Sequence, residues 1–593
     1  MSDRTHHTGG NFLVQSVGDN TIYCREKFTD EHREIEEMVK EFAKERIYVN
    51  RNRIEDYDKD LSLQLIRESG ELGLLGVGVP EEYGGLDLDK ITTVIVIESV
   101  ATGRSSSFLT TFSVQTAIGM LPIVWFGTKE QKEKYLPKLV AGEWIGAYGL
   151  TEPSAGSDAL SGKTKAVLTE DGKHYIMNGE KIFISNGAWA NVYIVFAQVD
   201  GSKFSAFIVD RDTPGFEVGP EEKKMGIKGS STTSLKFMDA KVPVENLLYE
   251  VGKGATIAFN SLNLGRFKLG AAELGGMKET ITYIINYALD RKQFGQSISN
   301  FDVIKGKLAQ MVILAYTSDS MIYRTVGLIQ DEIDTLDKSS EKYYLDMGAA
   351  MEKYAIETSM AKIYGSESMT YVLDEGIQTM GGYGFMEEYP LASAYRSERI
   401  NRIWEGSNEI NRQIITGYMM KKALLENLPI REAIGKIDAF LTKPPDRNDT
   451  DPLWREKNAV DTGKQMSLFL FHKALNEFGQ DLKHEQQLTE ILANMFMELF
   501  TAESTISRAE YSVDTKQADS IVLDIARAHT AEVSLSLLNM ALTGMNGITR
   551  GKLSDSSVEY LKKFEERMLL PTDIIGLKRS IAEFVYLKKA YPF

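Results

Sequence analysis

The stretch Ile403-Trp404-Glu405-Gly406-Ser407-Asn408-Glu409 sets a carboxylate between an aromatic ring and a glycine. Ser407 and Asn408 are good N-cap residues, and Glu409 suits a first turn, so an irregular segment here gives way to a helix. Glu405 is then held on a backbone elbow rather than on a helix face. A carboxylate placed in that way can take a proton from carbon. Alone, the same residues also read as one more solvated carboxylate near a helix start, and in isolation that plainer reading has the better odds.

Four other segments could hold a ligand. Tyr148-Gly149-Leu150-Thr151-Glu152-Pro153-Ser154-Ala155-Gly156-Ser157-Asp158 is rich in small residues and hydroxyls, and such a loop exposes backbone N–H groups. Phe183-Ile184-Ser185-Asn186-Gly187 puts an aromatic and a hydroxyl at a strand end, and strand alternation sends Phe183 and Ser185 to one side. Gln378-Thr379-Met380-Gly381-Gly382-Tyr383-Gly384-Phe385 lets a backbone approach a ligand closely. Arg291-Lys292-Gln293-Phe294-Gly295 could grip a pyrophosphate. Taken singly, each also reads as ordinary punctuation: a domain-boundary turn, an Asn-Gly turn, a helix C-cap, cations at a helix C-terminus. Arg266, in a helical stretch that reads as buried, needs an anionic or carbonyl partner.

The elements that must position these residues fall into four blocks. Residues 1–147 read as a helical domain, with Thr29 and Asp30 as capping candidates. Residues 148–250 carry short β-rich runs between Asn-Gly, Asp-Gly and Pro-Gly turns. Helical patterns return over 251–430. A polar, Pro-rich stretch inside 431–453 reads as a linker, and 454–593 is again helical. The predicted class is α+β multidomain, with an N-terminal helical domain, a central β domain, a four-helix domain and an additional C-terminal helical domain.

Bulk properties exclude several chemistries. The net charge of −16 over 593 residues disfavours nonspecific binding to nucleic acid. The single cysteine, Cys24, excludes an intrachain disulfide and a multi-cysteine zinc site, and fits a reducing compartment. The histidines are scattered with no HExxH, and no GxGxxG after a strand or Walker loop is present. No run approaches the roughly 18 apolar residues of a membrane span, so no transmembrane segment is expected. MSDRTHHTGGNF lacks a basic region before an apolar stretch and is not Arg-rich, which leads to a cytoplasmic expectation.

In order and in approximate spacing, LTEPSAGSD, FISNG, MGIKGSSTTSLKFMDAKVPVENLL, RKQFG, QTMGGYGF and IWEGSNEINR resemble the acyl-CoA dehydrogenase family. The resemblance covers about residues 28 to 425. The C-terminal region, with LNLGRF and SNFDVIKGKLA, is similar to the very-long-chain branch. It implies FAD as cofactor, acyl-CoA as substrate, trans-2-enoyl-CoA as product in fatty acid β-oxidation, and a homodimer. An electron-transferring flavoprotein is the implied electron acceptor. The family match puts Glu405 at the catalytic base, with hydride passing to flavin N5. It puts Tyr148, Leu150, Thr151, Gly156, Ser157, Phe183, Ile184, Ser185, Arg291, Gln293, Phe294, Gln378, Gly381, Gly382, Ser407 and Asn408 on the cofactor. Ser157, Asn263, Arg266, Trp404 and Gly406 fall at substrate-side positions.

The implied chemistry is physically coherent. A thioester α-proton is weakly acidic, and leaves when the enolate oxygen receives hydrogen bonds as charge develops. A buried Glu has its pKa raised from about 4.3 toward neutrality and becomes a better base. Some branches place the base just before the Arg equivalent to Arg266; here that residue is Gly265, so Glu405 has no rival. Three positions depart from the pattern: Asp302 replaces a frequent Gln, Tyr395-Arg396-Ser397 replaces Tyr-Arg-Asp, and Gly252-Lys253-Gly254-Ala255 replaces GxGF. Two other functions share this outline: an acyl-CoA oxidase that uses oxygen, and a non-catalytic scaffold that keeps the fold. Long acyl chains are the expected substrates by resemblance to the very-long-chain branch.

Overall fold

The structure is a computed structural model and describes residues 8–19, 22–445 and 447–593. The first helical block includes α1 (Asp30–Phe42), α2 (Lys90–Ala101) and α3 (Ser106–Thr116). Thr29 caps α1 in a reciprocal box with His32, which satisfies two otherwise free N–H groups. The stretch Ser106–Phe126 is long and apolar enough to cross a bilayer, but it is 83% buried in the protein core.

Eight strands between Gly146 and Leu248 form one sheet. They are β1 (Gly146–Gly149), β2 (Lys165–Leu168), β3 (His174–Ser185), β4 (Val192–Val199), β5 (Lys203–Asp210), β6 (Phe216–Glu221), β7 (Thr232–Pro243) and β8 (Leu247–Leu248). The path runs β6-β7-β3-β2-β4-β5-β8, and β1 lies parallel to β4. The run VYIVFAQV reads almost continuously apolar because β4 is central, and its side chains are buried on both faces.

The following helices are α4 (Gly254–Asp290), α5 (Asp302–Ile333), α6 (Ala355–Met380), α7 (Pro390–Glu398) and α8 (Asn408–Leu424). α4, α5, α6 and α8 pack as a helical bundle, and α4 meets the sheet at β5. The C-terminal layer comprises α9 (Trp454–Phe478), α10 (Gln486–Asp514), α11 (Ile521–Thr549) and α12 (Ile574–Lys588), with one further helix between the last two. The expected α+β class with four blocks is what the chain adopts.

Residues 431–453, read from sequence as a linker, carry two short helices, Ile430–Gly435 and Ile437–Thr442. Ile430, Ile437 and Leu453 are buried, and burying them holds the segment on the C-terminal layer. An irregular stretch begins only near Pro444, and Asp446 within it lies outside the described residues. Residues 1–7, on which the targeting expectation partly rested, also lie outside them.

A buried ionic cluster joins the blocks. Asp319 of α5 receives Arg25 at 2.9 Å, Arg508 of α10 at 3.2 Å, and Lys278 of α4. Arg25 also reaches Glu98 of α2 at 2.5 Å, and Arg508 reaches Glu26 at 2.9 Å. Cations on three segments thus share one fully buried carboxylate. Asp302, the family departure, is taken up by Arg579 of α12 through two bonds of 2.6 and 2.7 Å.

Candidate functional site

The loop Ile403–Ser407 is fixed before its carboxylate is placed. Ser407 caps α8, its hydroxyl accepting from the Ile410 N–H. Glu405 and Gly406 both take left-handed backbone, at φ 57° and 79°, so the chain turns sharply there. A non-glycine residue in that region costs on the order of 1–2 kcal/mol, and the surroundings must hold it. They do so through backbone carbonyls. Arg266 Nε donates to Glu405 O at 3.1 Å, Lys362 Nζ to Gly406 O at 2.9 Å, and Asn411 Nδ2 to Gly406 O at 2.7 Å.

This arrangement leaves the carboxylate unpaired. Arg266 spends a second donor on Asn263 Oδ1 at 2.9 Å, and Lys362 spends one on Asn408 Oδ1 at 2.7 Å. Glu405 Oε2 is sealed from solvent and has no hydrogen-bond partner among the described residues. Burial pushes the Glu405 carboxyl up to about 7, against the opposing pull of Arg266 and Lys362. The carboxylate lies against α4 at Gly265, where an added Cβ would stand 2.6 Å from Oε2. The N–H of Glu405 donates to no backbone carbonyl among the described residues.

Glu405 lines a cavity of about 600 Å³ between the sheet, α2–α3, α4 and α7. Of the residues singled out from sequence, Tyr148, Leu150, Thr151, Phe183, Ile184, Ser185 and Trp404 line it as well. Phe183 sits at φ 58° in a register shift between Lys181 and Ile184 of β3, and its ring is 63% exposed. Phe183 and Ser185 do share the cavity, but a bulge places them there, not simple strand alternation. Tyr148 Oη and Trp404 Nε1 are buried without a partner among the described residues.

The remaining sequence candidates lie off the cavity wall. Gly156 and Ser157 are exposed on the loop after β1. That loop is anchored by Glu152, which pairs with buried Lys181 at 2.6 Å and accepts the Thr164 N–H at 3.0 Å. Arg291 packs over the Tyr383 ring at 5.3 Å, which joins the RKQFG hairpin to the QTMGGYGF turn. Gln293, Phe294, Gln378, Gly381 and Gly382 are exposed on that joint surface. Asn408 is buried against Lys362, Ser366 and Glu367. Gly406 and Ser407 belong to the Glu405 loop itself, and Asn263 and Arg266 of α4 support it.

Sequence reading missed two cavity or loop lysines. Lys362 stands within α6 and Lys268 within α4, where a lysine reads as a solvated helix face. Lys268 lines the cavity, donates to Thr116 O at 2.8 Å, and is pushed down by burial to about 7. The surrounding run of small and apolar residues was the available signal. Among the described residues no group of His, Cys, Asp and Glu could hold a metal ion.

Comparison with known proteins decides the family. Residues 29–143, 147–240 and 252–420 match the N-terminal, middle and C-terminal domains of acyl-CoA dehydrogenase, and 462–563 match a further C-terminal domain of that family. A probable acyl-CoA dehydrogenase of Bacillus subtilis is 43% identical over 98% of both chains. The chain belongs to the acyl-CoA dehydrogenase family. The human mitochondrial very long-chain specific acyl-CoA dehydrogenase is 39% identical over 68% of this chain and 60% of its own length. The solved Bacillus anthracis acyl-CoA dehydrogenase in complex with FAD superposes with a TM-score of 0.96 at 39% identity, covering 99% of this chain and 100% of that one.

The protein is accordingly a flavin-dependent oxidoreductase acting on acyl-CoA, with FAD as its cofactor. The cavity fits such a group on its own evidence. Tyr148 and Trp404 line the cavity, their Oη and Nε1 are buried without a partner among the described residues, and native sites rarely leave such groups unpaired. The exposed Phe183 ring offers a face on which a planar heterocycle can pack.

Proposed function

We propose that this chain oxidises long-chain acyl-CoA to trans-2-enoyl-CoA in fatty acid β-oxidation, with Glu405 as the α-proton base. One observation carries the reading: a carboxylate with no partner among the described residues, its Oε2 sealed, on a fixed elbow in the same cavity as Ser185 and the exposed ring of Phe183. Bound FAD supplies the hydride acceptor for the β-hydrogen.

The chain's own residues do the rest. Arg266, Lys362 and Asn411 hold the elbow by its carbonyls, so the carboxylate reaches into the cavity without a competing partner. Burial makes it a stronger base than a surface Glu, because charge there is poorly solvated. The unspent N–H of Glu405 is a donor for a thioester oxygen as it gains charge. Trp404 and Leu269 line the same cavity, Leu269 one helical turn beyond Gly265, and offer apolar surface that suits an aliphatic chain. Electrons then pass to an electron-transferring flavoprotein, and the active form is a homodimer in the cytoplasm.

The test is anaerobic bleaching of the bound flavin by acyl-CoAs from short to very long. Bleaching that is strongest with long chains is expected, followed by fast reoxidation by an electron-transferring flavoprotein and slow reoxidation by air. Fast reoxidation by air would make the protein an oxidase. No bleaching by any thioester would remove the enzymatic reading.

A further inference from the structure

Two more carboxyls meet in the cavity wall, beyond Gly265 along α4. Glu273 of α4 and Glu398 at the end of α7 both line the cavity, at 6% and 5% exposure. Asn401 Nδ2 donates to Glu273 Oε1 at 2.5 Å and to Glu398 Oε2 at 2.8 Å. Neither carboxyl forms an ion pair with Lys or Arg among the described residues. Glu398 Oε1 is sealed from solvent and receives no N–H or O–H donor there.

Asn401 Nδ2 thus bridges the two carboxyls, and each acts on the other's ionisation. Two buried carboxylates that share one amide donor and have no cation partner resist being ionised together. One proton between them turns repulsion into a hydrogen bond and satisfies the orphaned oxygen. The other charged groups that face the pair are Lys362 of α6, which pulls Glu273 down, and Arg402 just beyond α7, which pulls Glu398 down. Burial outweighs both: Glu273 is pushed up to about 7, and Glu398 is held well above the usual carboxylate range by burial and by Glu273.

Position gives the pair its effect. Gly265 marks the carboxylate of Glu405, and Glu273 follows on the same helix face roughly 12 Å along the axis at the helical rise. A short acyl chain ends before that point, and a long one passes it. We propose that Glu273 and Glu398 determine chain-length specificity, forming a polar step in the acyl channel that accepts a long aliphatic chain only while a proton bridges the two carboxyls. This rests on the acyl-CoA reading above. Loss of the proton leaves a second negative charge beside methylene groups, which cannot solvate it.

The test compares kcat/KM for octanoyl-CoA and hexadecanoyl-CoA in the FAD-loaded enzyme, between about pH 6 and 9. Both substrates share the ionisation of Glu405, which cancels in the ratio, and the double variant separates the pair from Lys268, the other cavity group pushed to about 7. The long-to-short ratio is expected to fall by about tenfold as pH rises, equivalent to one unit of differential pKa. In the double variant Glu273→Gln, Glu398→Gln, which carries no titrating carboxyl, the ratio should stay flat. If that variant fails to hold FAD, Glu398→Gln alone serves: one carboxyl remains, no second negative charge can form, and the ratio should again stay flat. A flat ratio in the native enzyme, or a fall unmoved by these substitutions, overturns the proposal. Absence of turnover with either thioester would instead count against the acyl-CoA reading.

Discussion

The carboxylate of Glu405 rests on the α-carbon of Gly265, with Oε2 where even a methyl group at residue 265 would stand only 2.6 Å away. Gly265 thus makes room for the carboxylate proposed as the base and offers no carboxyl of its own. Gly265→Ala should keep FAD and the fold, yet push the carboxylate aside. A displacement near 1 Å costs on the order of 10²-fold in rate. Stopped-flow flavin reduction would read the loss, and an unchanged rate would show that the carboxylate is not held there.

Glu405→Gln should retain the flavin spectrum and lose turnover by about 10²–10⁴-fold, the range spanned by a positioned general base. Near-normal turnover in a folded, FAD-loaded variant removes the assignment of Glu405.

The pH dependence follows from the raised carboxyl of Glu405, at about 7. As the proposed base, Glu405 acts only when ionised, so kcat/KM should climb as pH rises and level off above that value. The stability effect has the opposite sign. Because the folded-state value exceeds the unfolded one, the folded chain favours the protonated form, and stability from this group declines as pH rises between about 4.5 and 7. A pH profile already flat from pH 5 upward would contradict a buried base.

Arg266 lowers the Glu405 carboxyl while fixing its backbone carbonyl. Arg266→Ala should therefore reduce turnover and move the acid limb of kcat/KM to higher pH. A purely structural role would lower the rate without moving the limb.

Asp319 is fully buried and shared by three cations. Asp319→Asn leaves those cations uncompensated, and breaking a buried pair typically costs about 3–5 kcal/mol. Thermal unfolding would show a clear fall in Tm. The Asp319 carboxyl is held well below its usual range by Arg25, Arg508 and Lys278, against the cost of burial. Its stabilising share is therefore present above the ordinary carboxylate range and is lost as pH falls through the depressed folded value. Acid unfolding of Asp319→Asn should be less steep than that of the native chain.

Much of this was legible in the residues. The turn at Glu405 announced itself through the Ser407 cap, and the β block through its Asn-Gly and Pro-Gly turns. Arg266 needed a carbonyl or anion, and found the carbonyl of Glu405. What stayed hidden depends on contacts far apart in sequence. Nothing local reveals that Lys362 serves a loop more than forty residues later, or that Phe183 sits on a bulge. Glu273 was readable in part: it lies in Gly270-Ala271-Ala272-Glu273-Leu274-Gly275-Gly276, a run with no solvent face to receive a charge. Its partnership with Glu398 was not, because only tertiary packing brings the two helices together.

The shared carboxylate of Asp319 bears on how this protein can be shortened. Many enzymes tolerate loss of a terminal domain because the cut crosses only apolar packing or solvent. Here a cut before α10 would take Arg508 away and leave Asp319 and Glu26 facing the newly opened surface. The shorter chain would not be a minimal version of the enzyme but a damaged one, with an acidic scar across its central helix. A compact relative of this protein would have to redesign that seam rather than simply end sooner.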